Sequence, residues 1–226
     1  MIILHIETST NICSIAISEN GQCIFTKSDS EGMNHAALLS VFIAEAMEFL
    51  KSVSKNIDAV AVSSGPGSYT GLRIGVSTAK GLCYGLDIPL IAVSTLEILT
   101  ANALLTAEAG TNTLFCPMID ARRMEVYAAF YNKEGIIQRE ISADIIDENS
   151  YSAILENHSV YFFGNGAEKC KTTLTHPNAK FIDGMYPLAQ NMIALAEKAY
   201  AEKKFVDVAY FEPFYLKEFY TTAAKI

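Results

Sequence analysis

The chain is poor in the residues that anchor disulfides and metals. Its five cysteines, at positions 13, 23, 83, 116 and 170, are odd in number and widely spaced, and no C-x-x-C pair occurs. That argues against a disulfide framework or a zinc site and fits a reducing cytoplasm. The four histidines, His5, His35, His158 and His176, stand too far apart for ligand spacing. Basic residues are scarce as well: 17 Lys and Arg face 25 Asp and Glu, for a net charge of -8, and they form no run. A protein that grips duplex or tRNA alone usually carries a basic patch, so any RNA contact is expected to fall mostly to a partner. No stretch of about 18 apolar residues suggests a membrane span. The start, "MIILHIETST", lacks the basic segment of a signal peptide and soon turns polar. These absences predict a soluble, cytoplasmic protein.

What the chain does have is apolar patterning. Half of its residues are hydrophobic, enough for a sizeable core in one large or two small domains. "IILHIE" reads as a buried strand, "TSTN" as a turn, "ICSIAIS" as an alternating strand, "ENG" as a hairpin turn and "QCIFTKS" as a third strand. A helix over 34–51, a strand "IDAVAVSS", a helix over 68–85, a strand "IPLIAV" and a helix over 94–107 follow. The order then restarts. "TLFCPMID" is an apolar strand ending in an acid, "ARR" a turn, "MEVYAAFY" a strand, "NKEG" a turn and "IIQREIS" a strand. Glu7 lies 14 residues before Gly21, and Asp120 lies 15 before Gly135. A helix near 148–156, the strand "VYFFG", a turn "NGAEK" and a helix over 187–203 complete the second pass. This internal echo predicts an α/β, actin-like duplicated fold with mixed sheets: a first lobe over 1–107 and a reduced second lobe over 108–226. The aromatic tail "YFEPFYLKEFY" must pack on something, and the first lobe is the expected place.

The most distinctive stretch is "SSGPGSYTGLRIGVSTAKGL". It reads as strand, glycine turn, helix, as phosphate-binding loops do. A Walker A loop needs G-x-x-x-x-G-K-[ST], and "GPGSYTGLR" has neither that spacing nor the lysine. A Rossmann turn needs G-x-G-x-x-G; here the order is Gly65-x-Gly67-x-x-x-Gly71, and the turn is not on the first strand of its unit. Gly71, Gly75 and Ala79 recur every four residues and share one helix face, which predicts close approach of another backbone. The helix from Asn34 is apolar on nearly all sides, so it is expected to be covered on more than one. The two helices are then either a well-covered core or a cover for the sheet that also forms a subunit interface. The candidate contacts are Leu38, Leu39, Phe42, Ala46 and Phe49 on the first, and Gly71, Ile74, Gly75, Thr78 and Ala79 on the second. On this reading Gly75→Leu or Phe42→Asp breaks the interface and leaves the lobe folded.

"LHIETSTNICSIAI", "SSGPGSYTGLRIGVSTAKGL", "PLIAVSTLE" and "MIDARRMEVYAAFY" together resemble the TsaB (YeaZ) family, in order over residues 2–131, and the later "EPFYL" is also similar. The resemblance implies an actin-like fold. It also implies a role in threonylcarbamoylation of adenosine 37 in ANN-decoding tRNAs, as the non-catalytic partner of TsaD. The implied partners are TsaD, in a heterodimer through the first lobe, and the ATPase TsaE in a larger complex. In isolation the same surface is expected to pair with itself as a homodimer. Contact with tRNA comes through the complex.

TsaD-like proteins carry an H-x-x-x-H metal pair after the matching strand, since two histidines four apart on a helix face one metal. Here Thr95 and Leu99 stand in those positions, and leucine cannot bind a metal. No metal, cofactor or catalytic residue is expected. Actin-like ATPases hold phosphate in the first hairpin turn of each lobe. Glu7, Thr8 and Ser9, and Asp120, Arg122 and Arg123, occupy the analogous turns, as vestigial anion nests or simply as good turn residues. Gly164 and Gly166, in "GNGAEK", are a remnant of a nucleotide-cradling turn or an ordinary helix start. Peptidase chemistry fails because G-x-S-x-G is not met around Ser68 and no histidine is placed to serve it. The alternative function is a small-molecule or sugar kinase of the same fold.

Overall fold

A computed structural model describes residues 1–32, 34–107 and 110–217. The first lobe is built on a five-stranded sheet. β1 (Ile2–Glu7), β2 (Cys13–Glu19) and β3 (Gln22–Asp29) run as an antiparallel meander, while β4 (Ala59–Gly65) and β5 (Leu90–Ser94) add in parallel, giving the order β3-β2-β1-β4-β5. The β2–β3 hairpin turns on Asn20-Gly21, both at positive φ, the pairing that tight hairpins favour. β1 is buried along its whole length and β4 along nearly all of it. That explains their unbroken apolar sequence: central strands covered on both faces have no reason to alternate.

One face of this sheet carries α1 (His35–Ser52) and α2 (Tyr69–Leu86). Leu39, Phe42, Ile43, Ala46 and Leu50 of α1 and Val76, Ala79 and Cys83 of α2 join Leu4, Ile6, Ile15, Ile17, Val60 and Val62 in one apolar cluster. Ser68 caps α2 by accepting from the Gly71 amide at 3.2 Å, which satisfies one of the orphan donors of a helix start. The opposite face is covered from further along the chain. α3 (Thr95–Thr106) puts Ile98 there, and α5 (Ile193–Ala201) lays Ala196, Leu195 and Ala199 against Ile3, Ala59, Ala61, Ile91 and Val93.

The second lobe repeats the topology. β6 (Thr113–Asp120), β7 (Glu125–Tyr131), β8 (Ile137–Ile145), β9 (Ser159–Phe163) and β10 (Ala179–Ile182) form the order β8-β7-β6-β9-β10, with the same senses. Its helices have shrunk. α4 (Ser152–Leu155) is four residues long, and a 3-10 turn, Glu168–Cys170, stands where α2 stands in the first lobe. The helix predicted near 148–156 is thus mostly turn, and β10 went unread because "AKFI" is too short to show a period. α3 joins the lobes: Leu96, Leu99 and Ala103 pack with Phe115, Ile119, Tyr131 and Phe163 of the second sheet. This is an actin-like two-lobe fold with a reduced second lobe.

The last described residues return to the first lobe. Val206 bridges Leu90, Lys80 donates to the Ala209 and Phe211 carbonyls at 3.1 and 3.0 Å, and the Phe214 amide donates to the Ser64 carbonyl at 2.7 Å. Tyr215 meets Tyr69 with ring centroids 4.8 Å apart, and Lys217 reaches across to Glu125 of β7. Residues 218–220 of the predicted aromatic tail lie outside the described residues.

Candidate functional site

The glycine helix closes on the chain's own first turn. A side chain at Gly71 or Gly75 would collide with the Thr8 carbonyl or the Thr8 hydroxyl, and one at Gly67 with Ser9. The contact is tied by hydrogen bonds: the Ser68 amide donates to the Ser9 carbonyl at 2.6 Å and the Thr8 hydroxyl to the Gly71 carbonyl at 2.8 Å. The close backbone approach predicted for this face is therefore real, but the neighbour is residues 8 and 9 of the same chain.

Six of the ten expected interface residues are corrected by this packing. Leu39, Phe42, Ala46, Gly71, Gly75 and Ala79 are buried beneath the chain's own sheet and first turn, so none of them is presented to a partner. Leu38, Phe49, Ile74 and Thr78 are half-buried; Phe49 leans on Phe25 of β3 with centroids 5.3 Å apart. The exposed faces are made of other residues. On α1 they include Ala37, Val41 and Ala44, spaced i, i+4, i+7, with Val41 51% exposed. On α2 they include Thr70, Ser77 and Gly81. An all-round apolar helix gives no sequence signal for which stripe faces out.

The two hairpin turns are differently placed. In the first lobe Glu7, Thr8 and Ser9 are fully buried. The Ser9 amide donates to Glu7 Oε1 at 2.6 Å, so the anion nest expected there is filled by the protein's own carboxylate. Glu7 Oε2 and the Ser9, Ser63 and Thr95 hydroxyls, all buried, have no partner among the described residues. Burial pushes the Glu7 carboxyl up to about 7, against the Ser9 amide that favours its charge. In the second lobe Asp120, Arg122 and Arg123 are exposed. The Arg122 amide donates to Asp120 Oδ1 at 3.0 Å and the Asp120 amide to Asn165 Oδ1 at 3.1 Å, so these amides too are taken. Gly164 and Gly166 press on Met118, Ile119 and Asp120, as the first lobe's glycine turn presses on Ser9. Their glycines serve packing.

The histidines of the first lobe and Ser68 are held in structural contacts. His5 is buried against the Ser18 hydroxyl at 2.8 Å, and burial lowers it to about 3, so it is neutral. His35 is buried against the Thr10 carbonyl. Ser68 is a helix cap. The positions of the TsaD metal pair do not fit a metal: Leu99 lies in the apolar cluster with Phe115 and Phe163, and Thr95 supplies only a hydroxyl. Among the described residues no three His, Cys, Asp or Glu side chains stand together as a metal site, and no helix is long and apolar enough to cross a membrane.

Comparison with known proteins gives the family. The family described as "TsaD: tRNA N6-adenosine threonylcarbamoyltransferase" matches residues 30–224. The chain is 34% identical over 142 residues to the tRNA threonylcarbamoyladenosine biosynthesis protein TsaB of Bacillus subtilis, covering 62% of this chain and 60% of that one. It is 32% identical over 158 residues to the TsaB of Buchnera aphidicola from Acyrthosiphon pisum, covering 69% and 70%. The solved structure of YeaZ from Pseudomonas aeruginosa superposes with a TM-score of 0.77 at 26% identity, over 95% of this chain and 99% of that one. The chain belongs to the TsaD-type threonylcarbamoyltransferase family, in its TsaB (YeaZ) branch.

Proposed function

We propose that this chain is the non-catalytic subunit that pairs with TsaD in making threonylcarbamoyladenosine at position 37 of ANN-decoding tRNAs, in the cytoplasm, with TsaE joining the complex. The names of its relatives place them in that biosynthesis. The replacement of the metal-pair positions by Thr95 and Leu99 supports a partner role over a catalytic one. The observation that carries the docking surface is the outer face of α1 and α2. Both helices already bury one side on the sheet, yet α1 still exposes Ala37, Val41 and Ala44, and α2 exposes Ser77 and Gly81 beside half-buried Ile74 and Thr78. Small side chains on two helices allow close approach of a second helical pair, and a relative with the same fold offers one. In isolation a second copy of this chain covers the same face.

The test is co-purification of TsaD with Val41→Asp and Ser77→Arg variants. Both positions are exposed, so melting temperature and circular dichroism should match the wild type while the heterodimer and the modification of tRNA in the reconstituted system are lost. Full recovery of TsaD with both variants rules this face out.

A further inference from the structure

The fold gathers cations that are scattered in the sequence. Arg122 and Arg123 stand exposed in the turn between β6 and β7. Both have positive φ, 69° and 49°, a region that arginine enters only at an energetic cost and where Asn or Gly sits more easily. Neither forms an ion pair among the described residues. The equivalent turn of the first lobe is buried under α2; in the second lobe only the short 3-10 turn stands there, and this turn stays open.

The neighbours extend the cluster. Lys169 pairs with Asp120 and donates to the Glu125 carbonyl at 2.7 Å. The C-terminal strap brings Lys217 onto the Glu125 carboxylate. Two residues earlier Tyr215 lies on Tyr69, and the exposed Arg73 guanidinium sits 5.3 Å over the Tyr69 ring. Lys169 and Lys217 thus match Asp120 and Glu125, Glu168 of the 3-10 turn is paired with Lys171, and Glu212 lies near Tyr215. With Glu212 set against Arg73, the pair Arg122 and Arg123 remains as an excess of positive charge on a chain of net charge -8. Guanidinium groups bind phosphates bidentately, and aromatic rings beside them suit splayed bases.

We propose that this edge, with Arg122 and Arg123 at its centre and Arg73 and Tyr215 at its flank, contacts the sugar-phosphate backbone of a folded RNA. The inference rests on the reading above, in which that RNA is the tRNA being modified. It assigns this subunit a direct share of the RNA contact.

The experiment is filter binding of an unmodified ANN-decoding tRNA transcript to the complex with TsaD over a series of KCl concentrations. Arg122→Glu/Arg123→Glu should weaken binding about tenfold or more and flatten the plot of log affinity against log salt by one to two. Arg122→Asn/Arg123→Gly should lose affinity too while melting at or above the wild-type temperature, because both residues suit positive φ. That separates lost binding from a damaged fold. Lys133→Glu, an exposed reversal on the next hairpin, should change little. Unchanged affinity and slope in both double variants overturns the proposal, as does an equal loss with Lys133→Glu. Failure of the heterodimer to form at all counts against the functional reading instead, and the transcript is then titrated against the chain alone.

Discussion

Gly75→Ala tests whether the bare face of α2 is internal. In an exposed helix this change is favourable by about 1 kcal/mol. Here the new methyl would come closer than 3.0 Å to the Thr8 hydroxyl, nearer than real Cβ atoms approach. Thr8 is fully buried and its hydroxyl is bonded to the Gly71 carbonyl at 2.8 Å. Rotating it away strands a buried polar group, at roughly 1–3 kcal/mol, and pushing the helix outward is overpacking of about the same size. After the propensity gain of about 1 kcal/mol, a net loss of up to about 2 kcal/mol remains by either route, a large share of a typical domain's stability. Urea titration and thermal melting give the measurement, with a drop of up to about 4–8 °C expected for a chain of this size. Gly81→Ala is the control, since nothing stands within 4 Å of its added carbon, and it should be neutral or stabilising. If Gly75→Ala stabilises as Gly81→Ala does, the packing of α2 on the first turn is wrong.

Glu7→Gln should raise stability above pH 7 by up to roughly 3 kcal/mol and do little at pH 4.5. The folded state holds the Glu7 proton up to about 7 against 4.5 for the ordinary group, so this group's contribution falls as pH rises through that window. Gln keeps the acceptor for the Ser9 amide and offers an N–H to the unpaired Ser63 or Ser9 hydroxyl. His5 acts in the opposite sense, because its folded value of about 3 against 6.5 makes stability fall as pH drops below 6.5. The two slopes offset between 4.5 and 6.5 in the wild type, and the variant should show the His5 slope alone; a pH-independent difference in melting refutes the buried-acid account. Phe42→Asp places an unpaired carboxylate in the main apolar cluster and should unfold the first lobe, not merely release a partner. A folded, monomeric Phe42→Asp protein by near-ultraviolet circular dichroism would contradict that.

Sequence and structure divide the account unevenly. The duplicated order of elements was legible because short apolar strands, acid-bearing turns and glycine hairpins recur in step at Glu7–Gly21 and Asp120–Gly135. The long helices announced themselves by length and by the Ser68 cap. The loss of the metal pair at Thr95 and Leu99 also needs no coordinates once the resemblance is drawn, because leucine has no donor atom. Only the tertiary structure decided what each face touches. Gly71 and Gly75 read as a site for close approach, and nothing local distinguishes a partner's backbone from Thr8, 63 residues away in the chain. α5 reads as part of the second lobe, yet its apolar side is used on the first sheet. The arginines at 122 and 123 are unremarkable along the chain, and only the fold shows them exposed at positive φ. Periodicity fixes what an element must bury, because that depends on its own side chains; the identity of the covering surface depends on residues far along the chain, and folding alone selects it.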